Sequence, residues 1–410
     1  MTDSAVAPVT LDDVLAARAG LTPVMRPTSL KFNRGISERA GTDVYLKCEN
    51  LQRAGSFKFR GAYTRLSRLS DEEKAAGVVT ASAGNHAQGV ALAAQMLGIS
   101  AKVYMPVGAA MPKVNATKGY GAQIEQVGLT LDEAMPHAQE YAQRTGAIYI
   151  HPFDHPDIVA GQGTCALEIL EQCPDVRTVV VALGGGGLLA GIAVVLRELK
   201  PDVRIVGVQA EEAAAYPRSL REGRPIACES MHTMADGIAV GLPGKVPFEI
   251  ISRAVDSVDT VSEEEISRAL LFLLERAKLV VEAAGGVTVA RLLQPSAQPW
   301  EGPVVAVLSG GNIDPLLLLR IIRHGMAAAG RYLQLRVRVP DKPGHLAQLL
   351  TDCADVDANV LDVEHVRVNA SLRVDEVEIS VELETKGPEH CQIVVETLHA
   401  RGYRLVAVDA

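Results

Sequence analysis

The sequence predicts an open α/β protein followed by a small antiparallel α+β domain. In the first two-thirds of the chain, short aliphatic runs alternate with stretches of helical periodicity, and these runs do not alternate polar with apolar residues. Strands that are buried on both faces have this composition, which is typical of a parallel sheet covered by helices. From Leu333 onward apolar and polar residues alternate strictly, which is typical of a half-exposed antiparallel sheet.

The larger α/β part covers residues 1–328 and is built from strand-to-helix units. The predicted strands are 77–82, 101–106, 178–183, 204–210 and 303–311, and the predicted helices are 85–99, 187–199 and a segment that begins at 312. Ligands of such sheets bind at the carboxyl ends of the strands. We therefore expect functional residues in the turns after 82, 183 and 308.

The C-terminal part, residues 333–410, has the predicted order βαββαβ of a ferredoxin-like unit. Its first strand begins at Leu333, a helix follows Pro343-Gly344, and a second strand covers Asn359–Val368. The alternating run 377–383 is the third strand, and a helix beginning at 388 precedes a final strand at 403–410. The Ala/Gly-rich run 326–330 is the expected linker.

Composition and charge exclude several classes of protein. The chain has 410 residues, is 48% hydrophobic and carries a net charge of −9, which argues against nucleic acid or an anionic membrane as the main partner. No apolar run is long enough to span a membrane, and the first residues lack a secretion signal. The six cysteines include no CxxC pair. We expect a cytoplasmic protein with reduced thiols and no metal site.

Lys58 stands between two phenylalanines in the stretch SFKFR. Taken alone, this stretch favours a strand or loop end with the ammonium group in water. The alternative is a lysine in a partly apolar pocket, where its pKa falls and its amine becomes a nucleophile and a base.

Three glycine-bearing turns follow predicted strands. Gly184–Gly187 can present converging backbone N–H groups to an anion at a helix N-terminus, and a simple turn would need fewer glycines. The stretch 80–89, TASAGNHAQG, can hold a carboxylate, or its Asn85 can be an ordinary helix cap. The turn 309–312, SGGN, is a third site candidate or a plain glycine turn.

Together with Lys58, these turns supply what pyridoxal 5′-phosphate (PLP) requires: an amine, a phosphate cradle and polar partners for the ring. The motifs SFKFRGA, SAGNHAQG, GGGGLLAG and SGGN, in this order, resemble those of the fold-type II PLP enzymes, and within them those of the threonine dehydratases (threonine ammonia-lyases). This resemblance implies two open twisted α/β subdomains, the smaller one at about 50–150 and inserted in the larger. It also implies a lyase that acts on L-threonine, or on L-serine, in isoleucine biosynthesis or threonine catabolism.

The resemblance also implies the roles of individual residues. Lys58 would bind PLP covalently and act as the catalytic base, Asn85 would hydrogen-bond O3′ of the cofactor, and Ser309 would face the pyridine nitrogen. The phosphate would be bound by the backbone of Gly184, Gly185, Gly186, Gly187 and Leu188. The substrate carboxylate would be held by Ser82, Ala83, Gly84, Asn85 and His86. Glu282 would lie near the ring.

Two positions depart from patterns found in related enzymes. The serine racemases of this family have a second serine where this chain has Ala83, so we expect elimination rather than racemisation. The optional cation site of the family would use Glu211, but Pro217 stands where another acid is expected.

The C-terminal part, with VPDKPGHLAQLL, resembles an ACT domain, which implies binding of an amino-acid effector such as isoleucine or valine. An alternative is a plain dimerisation domain; either way we expect a homo-oligomer, a dimer or tetramer. Three other functions stay open at this point: another fold-type II lyase, a non-catalytic amino-acid sensor, and a nicotinamide oxidoreductase, for which the glycine spacing fits poorly.

Overall fold

The computed structural model describes residues 8–228, 231–295, 299–366, 373 and 375–409. The chain forms two compact units, Met1–Asp314 and Pro315–Ala410. Among the described residues, no helix is both long and apolar enough to cross a membrane.

The strands, in chain order, are β1 (Leu30–Phe32), β2 (Val44–Lys47), β3 (Val78–Ala81), β4 (Ala101–Met105), β5 (Gln123–Gln126), β6 (Ile148–Tyr149), β7 (Thr178–Ala182), β8 (Arg204–Ala210), β9 (Ser257–Val261), β10 (Val304–Val307), β11 (Tyr332–Pro340), β12 (Asn359–Val366), β13 (Glu376–Glu384) and β14 (Arg404–Asp409).

The α-helices are α1 (Leu11–Leu21), α2 (Arg34–Ala40), α3 (Lys58–Ser67), α4 (Asp71–Ala76), α5 (Asn85–Leu97), α6 (Met111–Gly119), α7 (Leu131–Thr145), α8 (Pro156–Gln172), α9 (Gly187–Leu199), α10 (Ala215–Glu222), α11 (Lys245–Ala254), α12 (Glu263–Phe272), α13 (Ala283–Leu293), α14 (Pro315–Ala328), α15 (His345–Ala354) and α16 (Pro388–Ala400).

The first unit contains a six-stranded sheet in the order β1-β2-β10-β7-β8-β9. All neighbours pair in parallel except β1 and β2, which are antiparallel. Every residue of β7 and of β10 is buried, because helices cover both faces, and this explains the uninterrupted runs TVVVA and VVAV. The parallel sheet predicted from these runs is confirmed, with one antiparallel edge strand added.

A second sheet of the same unit has the order β5-β4-β3-β6 and is parallel throughout. Helix α5 packs its alanine-rich face into a core with Val78, Val103 and Met105. Both sheets belong to the first unit, and the second sheet lies within the range 50–150.

The second unit is a four-stranded antiparallel sheet in the order β12-β13-β11-β14. Its elements follow the predicted order βαββαβ, and one face carries a core of Leu333, Leu335, Val337 and the alternate residues of β13. Strand β12 ends at Val366, and the last two residues of the predicted strand, 367–368, lie outside the described residues.

The predicted linker at 326–330 is wrong. Residues 326–328 belong to helix α14, since alanine favours the helical state, and Gly330 follows this helix with a φ of +63°. The two compact units divide earlier, between Asp314 and Pro315, so that α14 groups with the antiparallel sheet.

Candidate active site

The candidate site is formed by turns that leave the carboxyl ends of β3, β7 and β10. These turns contain Ser82–Gly84, Gly184–Gly186 and Ser309–Asn312. Lys58 reaches the same place from the start of α3, because Ser56 forms a β-bridge with Gly310 and the Phe57 N–H donates to the Ser309 carbonyl at 3.1 Å. The structure thus brings the lysine segment and the SGGN turn together across about 250 residues of sequence.

Lys58 is not a solvated surface cation, although its local sequence favours that interpretation. Its Nζ donates to the carbonyl of Pro152 at 3.0 Å and lies 5.2 Å from the centre of the Phe57 ring. Burial lowers the pKa of Lys58 from its ordinary 10.5 to about 8, against the opposing charge of Glu282. A larger share of this amine is therefore neutral, and so nucleophilic, near pH 7.

A buried ionic network anchors the helix that carries Lys58. Arg60 forms two hydrogen bonds with Glu49 at 2.7 and 2.8 Å and one with Glu168 at 2.7 Å, and Lys47 Nζ lies 2.5 Å from the other Glu168 oxygen. All four side chains have no exposed surface. The neighbouring guanidinium lowers the pKa of Glu49 despite its burial, so this carboxylate stays ionised opposite Arg60. The network joins α3 to β2 and α8.

The first three residues of the Gly184–Gly187 turn have no room for a larger side chain. A methyl group on Gly185 would overlap the Phe153 ring, and one on Gly184 would lie 2.9 Å from the Cα of Ile238. Gly186 has a φ of +99°, and a methyl group there would overlap the Tyr216 hydroxyl. The turn is therefore more than a flexible connection, because the surrounding side chains fill the space that a Cβ would need.

Helix α9 begins directly after this turn and contributes its first backbone N–H groups. Gly186 is the residue that precedes the helix, and Gly187 and Leu188 lie in the first turn. N–H groups of a first helical turn have no partner within the helix, and the helix dipole adds a partial positive charge. This combination favours an anion such as a phosphate monoester.

Asn85 connects two of the motifs and is not a helix cap. Its Nδ2 donates to Glu282 Oε1 at 2.6 Å, and its Oδ1 accepts from Asn312 Nδ2 at 2.8 Å. Helix α5 starts at Asn85 itself, with Gly84 before it, and no side chain caps this end. The helix-cap alternative is therefore wrong, and the amide is held inside the site.

Glu282 contacts two of the motifs directly. Besides the bond to Asn85, its backbone N–H donates to the Gly310 carbonyl at 3.0 Å. Burial, and then the charge of Asp236, raise the pKa of Glu282 to about 7. This carboxyl group is therefore partly protonated at neutral pH.

The loop Ser82–His86 presents backbone groups rather than the imidazole. The Ser82 hydroxyl accepts from the Gly84 N–H at 3.2 Å, whereas His86 Nε2 contacts the Ile150 carbonyl at 3.0 Å. Burial lowers the pKa of His86 to about 3, so the ring is neutral and Nε2 carries the hydrogen that Ile150 accepts. A methyl group on Gly84 would meet none of the described residues within 4 Å, so there is free space beside the loop where Ala83 and Gly84 are half-buried.

Ser309 is buried, and its hydroxyl group makes only one long hydrogen bond among the described residues. Its Oγ lies 3.5 Å from the Ala284 carbonyl, well beyond the ordinary length of about 2.8 Å for such a bond. The hydroxyl can therefore accept or donate a better hydrogen bond to a ligand.

The sequence analysis missed Pro152, Phe153 and Tyr216. The first two follow β6, so the signal was their position directly after a strand, but a two-residue strand is hard to predict. Phe153 packs edge-on against His151 at a centroid distance of 4.7 Å. Its ring fills the space beside Gly185, and the preceding residue, Pro152, accepts a hydrogen bond from the Lys58 amine, so this segment contacts both the lysine and the glycine turn. Tyr216 gave no signal, because it is an isolated aromatic residue in α10.

The residues considered for the family's optional cation site follow β8. Within the described ranges, no three His, Cys, Asp or Glu side chains are grouped to hold a metal ion. Glu211 begins a short 3₁₀ helix, and Pro217 lies in α10. All six cysteines are free thiols.

These residues fit PLP. A lysine of lowered pKa, a glycine turn that leads into a helix N-terminus, and a serine hydroxyl with spare hydrogen-bonding capacity occur on one edge of an open α/β fold. This combination defines a PLP-dependent enzyme of fold type II.

The comparison with known proteins agrees with this class. Residues 21–310 match the family model described as "Pyridoxal-phosphate dependent enzyme", and the chain belongs to this family. It is 45% identical to an L-threonine ammonia-lyase of Thermotoga maritima over 97% of this chain and 99% of that relative. Among solved structures, threonine deaminase isoform 2 from Solanum lycopersicum is 38% identical, with a TM-score of 0.73 over 76% of this chain and 86% of that one. Maize serine racemase is 32% identical, with a TM-score of 0.73 over 78% and 98%.

Proposed function

We propose that this protein converts L-threonine to 2-oxobutanoate and ammonia, by removal of the α-proton and elimination of the β-hydroxyl as water. The proposal rests on the position of the Lys58 amine. This amine donates a hydrogen bond to the Pro152 carbonyl, and the next residue, Phe153, packs its ring against Gly185 of the glycine turn. The near full-length similarity to an L-threonine ammonia-lyase supports the choice of substrate.

Each residue of the site would have its own role in binding the cofactor or in moving the proton. When bound, PLP withdraws electrons from the substrate and acidifies its α-proton. Lys58 would hold the cofactor, and its amine, with a pKa of about 8, is suited to accept that proton. The N–H groups of Gly184–Leu188 would bind the phosphate and Asn85 would bond O3′.

Ser309 and the loop Ser82–His86 would orient the reactants. The Ser309 hydroxyl would bond the pyridine nitrogen without the charge that an aspartate would supply, which weakens electron withdrawal by the ring and favours prompt loss of the β-hydroxyl. The backbone of the loop would hold the substrate carboxylate. Ala83 carries no group that can return a proton, so elimination rather than racemisation is the expected result.

The proposal is tested by the release of keto acid and ammonia from L-threonine. Lys58→Ala should abolish both the visible absorption of bound PLP and the activity, whereas Lys31→Ala, at an exposed lysine of β1, should change neither. Near-normal turnover by Lys58→Ala would overturn the assignment of the lysine.

L-Serine belongs in the same assay, because the two substrates differ by one methyl group. A pocket discriminates a methyl group by about 1–3 kcal/mol, or roughly 5- to 150-fold in kcat/KM. We expect the higher kcat/KM with threonine. A higher value with serine would make the protein an L-serine dehydratase and leave the mechanism unchanged.

We further propose that the second unit binds an amino-acid effector, isoleucine or valine, in a cytoplasmic homo-oligomer. The βαββαβ order and the turn Asp341–Gly344 before α15 support an ACT-like role. Titration calorimetry with both amino acids and sedimentation of the full chain test this. A monomer that binds neither amino acid would overturn it.

A further inference from the structure

The glycine turn is held from behind by the hydroxyl group of Tyr216. Tyr216 has no exposed surface, and its Oη donates to the Gly185 carbonyl at 3.2 Å. The same carbonyl accepts the Gly244 backbone N–H at 3.3 Å. The peptide between Gly185 and Gly186 is therefore fixed by two donors that come from outside the turn.

Gln209 ties Tyr216 to the beginning of the same turn. This buried residue of β8 donates from Nε2 to the Leu183 carbonyl at 3.2 Å, and its Oε1 accepts the Tyr216 backbone N–H at 2.9 Å. Leu183 immediately precedes Gly184. Tyr216 and Gln209 together form a bracket from Leu183 to Gly185, and neither residue is needed for the catalytic roles proposed above.

The bracket has a consequence for anion binding. In a trans peptide the C=O and the following N–H point in opposite directions. When the Gly185 carbonyl is held by Tyr216, the Gly186 N–H is therefore turned to the side of the turn that faces away from the phenol. We infer that Tyr216 is a positioning residue, which orients the Gly185–Gly186 peptide so that the turn can receive the phosphate group of the cofactor.

The surroundings keep Tyr216 a hydrogen-bond donor. Burial, and then the negative charge of Asp154, raise the pKa of the Tyr216 phenol, so it stays protonated at any pH at which the enzyme works. Any larger residue in place of Gly186 would displace the phenol, because its Cβ would overlap the Tyr216 Oη. The contact thus depends on both the glycine and the hydroxyl.

The inference rests on the proposal that this turn binds the phosphate, and the test separates the two. Tyr216→Phe removes the hydroxyl but keeps the ring, and the Gly185 carbonyl keeps its bond to Gly244. The full-length apoprotein is titrated with PLP and, separately, with pyridoxal, which lacks the phosphate. Loss of one neutral hydrogen bond should weaken PLP binding by about three- to tenfold and leave pyridoxal binding unchanged.

Two further variants control the measurement. Tyr120→Phe, at the end of α6, should leave the affinity ratio of PLP to pyridoxal at the wild-type value. Gln209→Met keeps a similar volume but removes the hydrogen bonds to the Leu183 carbonyl and the Tyr216 N–H. It should therefore also lower the ratio of PLP affinity to pyridoxal affinity. General destabilisation would weaken both ligands equally and leave their ratio constant.

The outcomes are distinct. A wild-type protein that binds pyridoxal as tightly as PLP would overturn the phosphate site itself. A wild-type preference for PLP that persists undiminished in Tyr216→Phe would overturn only the positioning role of the hydroxyl. A reduced preference in Tyr216→Phe, with Tyr120→Phe unchanged, supports the inference.

Discussion

The rate at which the apoprotein takes up PLP should rise with pH and reach half its maximum near pH 8. Only a neutral amine attacks the cofactor aldehyde, and burial lowers the pKa of Lys58 to about 8. The protonated form predominates below this pH and the reactive form above it. The experiment is therefore a measurement of the PLP uptake rate over a series of pH values with the intact, cofactor-free chain.

The magnitude follows from the pKa. At pH 8 about half of the Lys58 amines are neutral, whereas an amine of ordinary pKa 10.5 would be about 0.3% neutral. The buried site should therefore gain roughly 150-fold in reactive amine over a solvent-exposed lysine at that pH. Stopped-flow absorbance measures the uptake rate, and N-α-acetyl-lysine serves as the reference for titration of PLP itself.

Glu282→Gln provides the matched variant. The carboxylate of Glu282 raises the pKa of Lys58, and since its own pKa is about 7, it is mostly ionised at pH 8. Removing this charge should move the midpoint of uptake to lower pH. A wild-type midpoint near pH 10.5, or a midpoint that moves upward in Glu282→Gln, would refute the reasoning.

Three further results are expected. Gly185→Ala should displace the Phe153 ring and weaken PLP binding by about 5- to 150-fold, which corresponds to about 1–3 kcal/mol of overpacking. An equilibrium titration in which the variant binds PLP as tightly as the wild type would contradict this. Ala83→Ser should give measurable D-serine from L-serine by chiral chromatography, because it adds a group that can exchange a proton, and a product mixture without the D-isomer would count against that reason. Arg60→Met should lower the stability of the first unit by about 3–5 kcal/mol, since the buried Glu49 loses its cationic partner and Glu168 keeps only Lys47. An unchanged urea midpoint would show that the network contributes little.

The repeating strand-to-helix units were predictable because their signals are local. The runs 178–182 and 304–307 are uninterrupted and apolar, so their burial on both faces follows from composition alone. The four ordered motifs also made Lys58 and the glycine turn recognisable. The error at 326–330 has a local cause too, since small residues look like a linker but alanine extends a helix.

The supporting contacts were not predictable, because they join residues that are distant in the chain. The bonds of Asn85 to Glu282 and Asn312 span 197 and 227 residues, and no pattern near Asn85 reveals them. Pro152 acts through its backbone carbonyl, for which its side chain gives no signal. The lowered pKa of Lys58 likewise depends on burial by segments that the sequence does not place beside it.

The position of β10 has a consequence for biosynthesis. It is the last strand of the six-stranded sheet to leave the ribosome, yet it lies between β2 and β7 and pairs with both. Until it emerges, the nascent sheet stays in two unconnected pieces, and the Ser56 bridge to Gly310 cannot form. Cofactor capture during translation therefore has to wait until about three-quarters of the polypeptide has been made.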